Sequence, residues 1–168
     1  LKSEFENFTS HYVRFSTKPY DFLNISGGFG TGNEIAYREE IPELGDRFSF
    51  NTSIEVTLNN NLRIKPSINL SRLKKLDSED YFFDGYIARF DVRYQFTSSL
   101  DLRVISEYNE FSDQFFVQPL ISWRPNPDTI FYFGGNQNYI DNFVDYNSPN
   151  YRVNKTQLFL KFQYLIKS

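Results

Sequence analysis

Between Asp84 and Arg124 the chain repeats one pattern three times. Tyr86, Ala88, Phe90, Val92, Tyr94 and Phe96 are apolar or aromatic, while the intervening Arg89, Asp91, Arg93 and Gln95 are polar. A period of two over this length predicts a β-strand with two unlike faces. Thr97-Ser98-Ser99 then turns the chain tightly, and Leu102, Val104 and Tyr108 alternate with Asp101, Arg103, Glu107 and Asn109, which completes a hairpin. A third strand sets Val117, Ile121 and Trp123 against Gln118, Ser122 and Arg124, and Pro125-Asn126-Pro127-Asp128 ends it.

The rest of the chain follows the same rule. Phe5 to Ser16 alternates loosely, Thr17-Lys18-Pro19 reads as a turn, and Tyr20 to Thr31 resumes as a strand. Gly27, Gly28, Gly30 and Gly32 match neither dinucleotide nor P-loop spacing, so they read as a strand end with close backbone approach running into a loop. An acidic connection from Asn33 to Asp46 precedes the cleanest alternation, Arg47 to Leu58, which Asn59-Asn60-Asn61 turns into Leu62 to Ser71. Pro66 in mid-strand marks an edge, a bulge or a locally relaxed ladder. Lys74 to Tyr81 is a second polar loop. Thr129 to Asn136 is a strand of ambiguous phase, Tyr139 to Lys155 a third long loop, and Leu158 to Ile166 a terminal alternating strand. The expectation is about nine strands.

Alternation alone does not say which face is wet, because a soluble lipocalin-like barrel and an outer-membrane barrel share it. Connection lengths and aromatic placement decide. Short turns near Lys18, Asn60, Ser98 and Asn126 fall at one rim, and the longer loops near Glu39, Glu79 and Asn147 at the other, with a brief Phe111-Ser112-Asp113 connection among them. Short periplasmic turns opposite long outer loops are the outer-membrane pattern. Tyr20, Tyr94, Phe96, Trp123 and Tyr164 lie near the short-turn rim as an expected aromatic girdle, with Phe48, Tyr86 and Tyr108 toward the other. The fold expected is therefore all-β, a transmembrane antiparallel up-and-down β-barrel with its charges facing a lumen. Those charges are Arg14, Arg63, Lys65, Arg89, Arg93, Arg103, Arg124 and Lys161, against Glu55, Asp91, Asp101 and Glu107.

Composition fits this reading. The 168 residues suffice for one domain, and the mean hydropathy of −0.51 excludes a transmembrane helix while leaving a barrel open. Aromatic residues at 19% exceed what a core alone requires. A net charge of −3 with dispersed cations offers no footprint for nucleic acid, and cysteine is absent. Leu1-Lys2-Ser3-Glu4 has no basic and apolar leader, so any signal peptide is expected to have been removed or to lie upstream. Catalysis is not expected: His11 is the only histidine, with no nucleophile or metal cluster to pair with it. No cofactor is expected either. Asp77, Glu79, Asp80 and Asp84 lack EF-hand spacing and read as a solvated loop. Asp128-Thr129-Ile130 has the form of an O-glycosylation acceptor, and also simply starts a strand.

Arg93-Tyr94-Gln95-Phe96-Thr97, Leu102-Arg103-Val104-Ile105, the run from Gln118 to Tyr132 and the terminal Leu158 to Leu165 together resemble the C-terminal region of a Bacteroidota family. Its members carry a carbohydrate-binding-module-like domain near the N-terminus and end in an uncharacterised outer-membrane barrel. The resemblance covers about residues 84 to 168 and implies a bacterial outer-membrane location, with no ligand residues to carry over. An odd strand count suggests that residues 1 to 168 are the C-terminal portion of a larger barrel with an upstream domain missing. The alternative is that Leu1 to Ser16 is an arm and Tyr20 to Ile166 an eight-stranded barrel. The surplus of cations argues for the wider lumen, since unpaired charges in a filled barrel are costly. Phe162, Tyr164 and Ile166 resemble a C-terminal signal for the barrel-assembly machinery. The function expected is a non-enzymatic pore or structural subunit. Its partners would be outer-membrane lipid, the assembly machinery and other outer-membrane subunits; the alternative is a soluble lipocalin-like ligand carrier.

Overall fold

A computed structural model describes residues 8–37, 39, 41–76, 78–141 and 151–166. Nine antiparallel strands form one sheet in chain order: β1 (Ser10–Tyr20), β2 (Leu23–Ala36), β3 (Glu43–Leu58), β4 (Leu62–Lys75), β5 (Tyr81–Thr97), β6 (Leu100–Asn109), β7 (Gln114–Asn126), β8 (Thr129–Asp141) and β9 (Tyr151–Tyr164). Every strand pairs with its sequence neighbours, so the topology is a simple up-and-down meander. β1 and β9 do not pair with each other, and the sheet is open. Residues 10 to 16 hydrogen-bond to β2 from Ser10↔Gly32 to Ser16↔Ser26, so this segment is a sheet strand and not an arm.

Turn chemistry sets the short rim. Asn59 and Asn60 adopt positive φ of 52° and 57°, the conformation a tight primed hairpin turn needs and one that asparagine tolerates better than most residues. The first turn falls at Asp21-Phe22, later than the Thr17-Lys18-Pro19 expected, with an irregular register between Thr17 and Tyr20. Pro19 falls in that irregular stretch, where the ladder to β2 is interrupted and a missing N–H costs no bond. Pro66 sits inside the sheet, in the strand between β3 and β5. The β3/β4 ladder skips from Ser53↔Ser67 to Val56↔Ile64 there without changing register, which is the locally relaxed ladder the sequence allows.

The strands run further into the long-loop rim than alternation indicates. Asn33↔Asp46 through Ala36↔Glu43 extend β2 and β3, and Tyr139↔Val153 through Asp141↔Tyr151 extend β8 and β9. The connections left at that rim are 37–42, 76–80, 110–113 and 142–150, against Asp21-Phe22, Asn59-Asn61, Ser98-Ser99 and Pro127-Asp128 at the other. Phe5 to Asn7, Asp77 and residues 142–150 lie outside the described residues.

Register then fixes two faces. On one, Leu62↔Tyr94, Ile64↔Val92, Pro66↔Phe90 and Ile68↔Ala88 continue through Val92↔Val104 and Tyr94↔Leu102 to Leu100↔Trp123, Trp123↔Phe131 and Phe131↔Phe162. The ambiguous β8 is resolved by this pairing, with Phe131 and Phe133 on the apolar face and Ile130 and Tyr132 on the other. The only buried hydrophobic side chains among the described residues are Ala36, Leu73 and Ile105, and the register puts all three on the polar face. The apolar face, in contrast, exposes Phe29, Phe50, Ile54, Phe90, Ile121, Trp123, Phe133 and Leu160.

Candidate functional site

The two faces of the sheet are the feature that carries chemistry. Arg63, Lys65, Arg89, Asp91, Arg93, Asp101, Arg103, Glu107, Arg124 and Lys161 all fall on the polar face, together with Arg14 and Glu55. Cross-strand pairing organises them. Asp91 accepts from Arg103 Nη2 at 2.8 Å and Nε at 3.2 Å, a forked contact from β6 to β5. Arg89 donates to Glu107 at 3.3 Å, and Arg124 to Asp101 at 3.1 Å, where the aspartate is buried. Arg63 and Lys65 approach Glu55 at 3.8 and 3.9 Å. The longer strands add Arg47–Glu34 at 3.3 Å, a pair that the loop assignment of Asn33 to Asp46 concealed. Arg14 lies over the Tyr12 ring and Lys161 over that of Tyr132, at 5.6 and 5.8 Å.

The glycines of β2 serve this face as well. They lie in mid-strand, not at a strand end running into a loop. Tyr12 of β1 lies across Gly28 and Gly30, where a Cβ at Gly28 would collide with the Tyr12 hydroxyl, and Asn51 Nδ2 donates to that hydroxyl at 3.0 Å. On the opposite face, the Phe15 ring covers Gly27. Aromatic cover of bare glycine backbone is a packing device, and it adds side-chain contact to the β1/β2 ladder here.

Aromatic side chains frame the apolar face. At the short-turn rim Tyr20 stacks on Phe22 at 5.3 Å, Tyr94 meets Phe96 edge-on at 4.8 Å, and Trp123 stacks on Phe131, which in turn contacts Phe162. Tyr164 pairs with Thr129 at the same end. Toward the other rim Phe29 meets Phe48, Tyr86 meets Tyr108, and Phe115 meets Tyr139. Beyond that second row the apolar face turns polar, with Arg72 Nε donating to Asp84 at 2.7 Å and Lys74 bound to Glu79 at 3.0 Å. Asp84 and Glu79 are thus tied to cations, and Asp80 accepts from Ser78. Among the described residues no acidic group has metal-site geometry. Thr129 is buried at the start of β8. His11 stands on the apolar face of β1. Phe162 and Tyr164 end β9, whose outer edge is unpaired, and Ile166 follows the strand.

No family model, no curated protein and no solved structure matches the chain.

Proposed function

We propose that this chain forms part of a closed transmembrane β-barrel in a bacterial outer membrane. In that barrel the apolar face meets lipid and the polar face lines the lumen, and the protein acts as a pore or as a structural subunit of an envelope assembly, without catalysis. One observation carries the reading. Between the two rows of aromatics most of the large apolar side chains sit exposed on one face, while the buried hydrophobic residues and the mid-sheet ion pairs are on the other. An apolar surface of this extent is stable in lipid and a liability in water. Closure requires further strands against β1 and β9, from the same polypeptide or a partner subunit, and either route leaves a lumen wider than that of a small filled barrel. The resemblance of residues 84 to 168 to the Bacteroidota barrel region adds support.

A soluble carrier would need the opposite curl, with Phe90, Trp123 and Leu160 inside and Arg89, Asp91 and Arg93 in water. The burial of Ile105 and Asp101 on the charged face weighs against that. Lipid is the first partner of such a wall, and the assembly machinery that reads the Phe162–Ile166 end is the second. The test is folding into lipid vesicles. The protein is expected to show heat-modifiable mobility on gels and to resist protease in its strands; a product that stays in the aqueous phase, folded and monomeric, would overturn the proposal.

A further inference from the structure

The register brings three arginines into one row. Arg63 of β4 is the partner of Arg93 in β5, and Arg93 is the partner of Arg103 in β6. Like charges directly opposite on adjacent strands destabilise a sheet unless anions stand between them. Two anions are present. Asp91 is taken up by Arg103 in a forked contact, and Glu55 stands 3.8 Å from Arg63 and 3.9 Å from Lys65, beyond hydrogen-bonding distance for either. Arg93 makes no ion pair within 4.0 Å among the described residues, though it lies between the other two arginines. These six side chains line a cavity of about 240 Å³ on the polar face. Four cations against two carboxylates leave it two positive charges in excess, and its volume is below that of sites for drug-sized ligands.

We propose that this cavity binds a small tetrahedral oxyanion of the phosphate or sulfate class, with Arg93 as its principal ligand and Arg63, Lys65 and Arg103 around it. Guanidinium forks match the oxygens of such an anion two at a time, and the forked contact with Asp91 fixes the Arg103 guanidinium beside the cavity. The bound anion supplies the negative charge that the row lacks. The inference deepens the reading of the polar face as a lumen wall, and rests on it for the anion's route to the site.

Titration calorimetry of the protein in detergent with sodium phosphate tests it, with sulfate and chloride as further titrants. Saturable phosphate and sulfate binding is expected, with chloride binding far weaker. Arg93→Gln should weaken phosphate on the order of tenfold or more, because a charge-assisted contact is lost. Arg93→Lys should fall between, and Lys161→Gln, on the same face outside the cavity, should bind like the parent. Removing Arg93 also relieves the row, so the denaturation midpoint of Arg93→Gln in anion-free buffer should equal or exceed the parent's, which separates loss of binding from loss of fold. Absence of saturable phosphate binding, equal binding of chloride, or an Arg93→Gln variant that binds like the parent would overturn the site even if the protein inserts into membranes. Retained phosphate binding by a protein that fails to enter lipid would leave the site standing and overturn the membrane reading instead.

Discussion

Phe90→Arg puts a charge at the centre of the proposed lipid-facing band. Phe90 belongs to β5 and is register-paired with Pro66 and Ser106. Along β5 the apolar face runs from Tyr86 to Phe96, ten residue steps at about 3.4 Å each, or ~34 Å of strand. At a tilt of about 40° this projects to ~26 Å on the membrane normal, the height of the apolar band of outer-membrane barrels. Phe90 lies near its middle. An arginine there should cost about 2–4 kcal/mol in a bilayer, whereas Tyr94→Arg, next to the short-turn rim, should cost about 0–1 kcal/mol. On a water-exposed face both substitutions would stay within about 0.5 kcal/mol of the parent. Reversible urea unfolding from lipid vesicles, followed by the fluorescence of Trp123, reads the difference. Equal stabilities for Phe90→Arg and the parent would refute the lipid-facing assignment of this face.

Other substitutions probe other parts of the structure. Replacing both Phe162 and Tyr164 by Asp should abolish membrane insertion, seen as loss of the heat-modifiable gel band; a normal band would remove the C-terminal strand from the assembly signal. Gly28→Ala should destabilise by about 1–3 kcal/mol through overpacking against Tyr12, and limited proteolysis should then cut between β1 and β2 first. Asp91→Asn leaves Arg103 without its carboxylate in the arginine row and should lower stability by about 1.5–3 kcal/mol in anion-free buffer, with sodium phosphate restoring part of the loss. Asn60→Val forces a β-branched residue to φ near 57° and should cost about 1–2 kcal/mol, while Asn60→Gly should be neutral.

Much of this architecture is legible in residue order, because a sheet with one apolar and one polar face writes a period of two into the chain. The alternation of Tyr86 to Phe96 and of Leu62 to Leu70 places both strands and both faces, and the observed pairing of Arg89 with Glu107 follows once the hairpin register is known. Alternation fails where too few apolar residues stand in phase to set a period. In Asn33 to Ala36, Glu43 to Asp46 and Tyr151 to Lys155 isolated apolar residues such as Ile35 and Leu44 stand among polar ones, so the strand character is hidden from hydropathy although the backbones pair. Asp84 is hidden for the same reason: it resembles a loop carboxylate, yet it ends the apolar band in a 2.7 Å pair with Arg72. Pro19 misleads in a different way, since a proline at a break in a ladder carries the same local signal as a turn. The arginine row depends on two hairpin registers at once, those of β4/β5 and β5/β6, and a slip of one residue in either would scatter it.

Trp123 is the only tryptophan in the sequence and lies on the apolar face at the short-turn rim, stacked on Phe131. Quenching of its emission by brominated lipids in reconstituted vesicles therefore tests the central claim most directly. Strong quenching by bromines near the headgroups, weaker quenching by bromines near the chain ends and little by aqueous acrylamide are the expected results. Emission indifferent to brominated lipids at every depth, and quenched freely by acrylamide, would contradict the lipid-facing assignment.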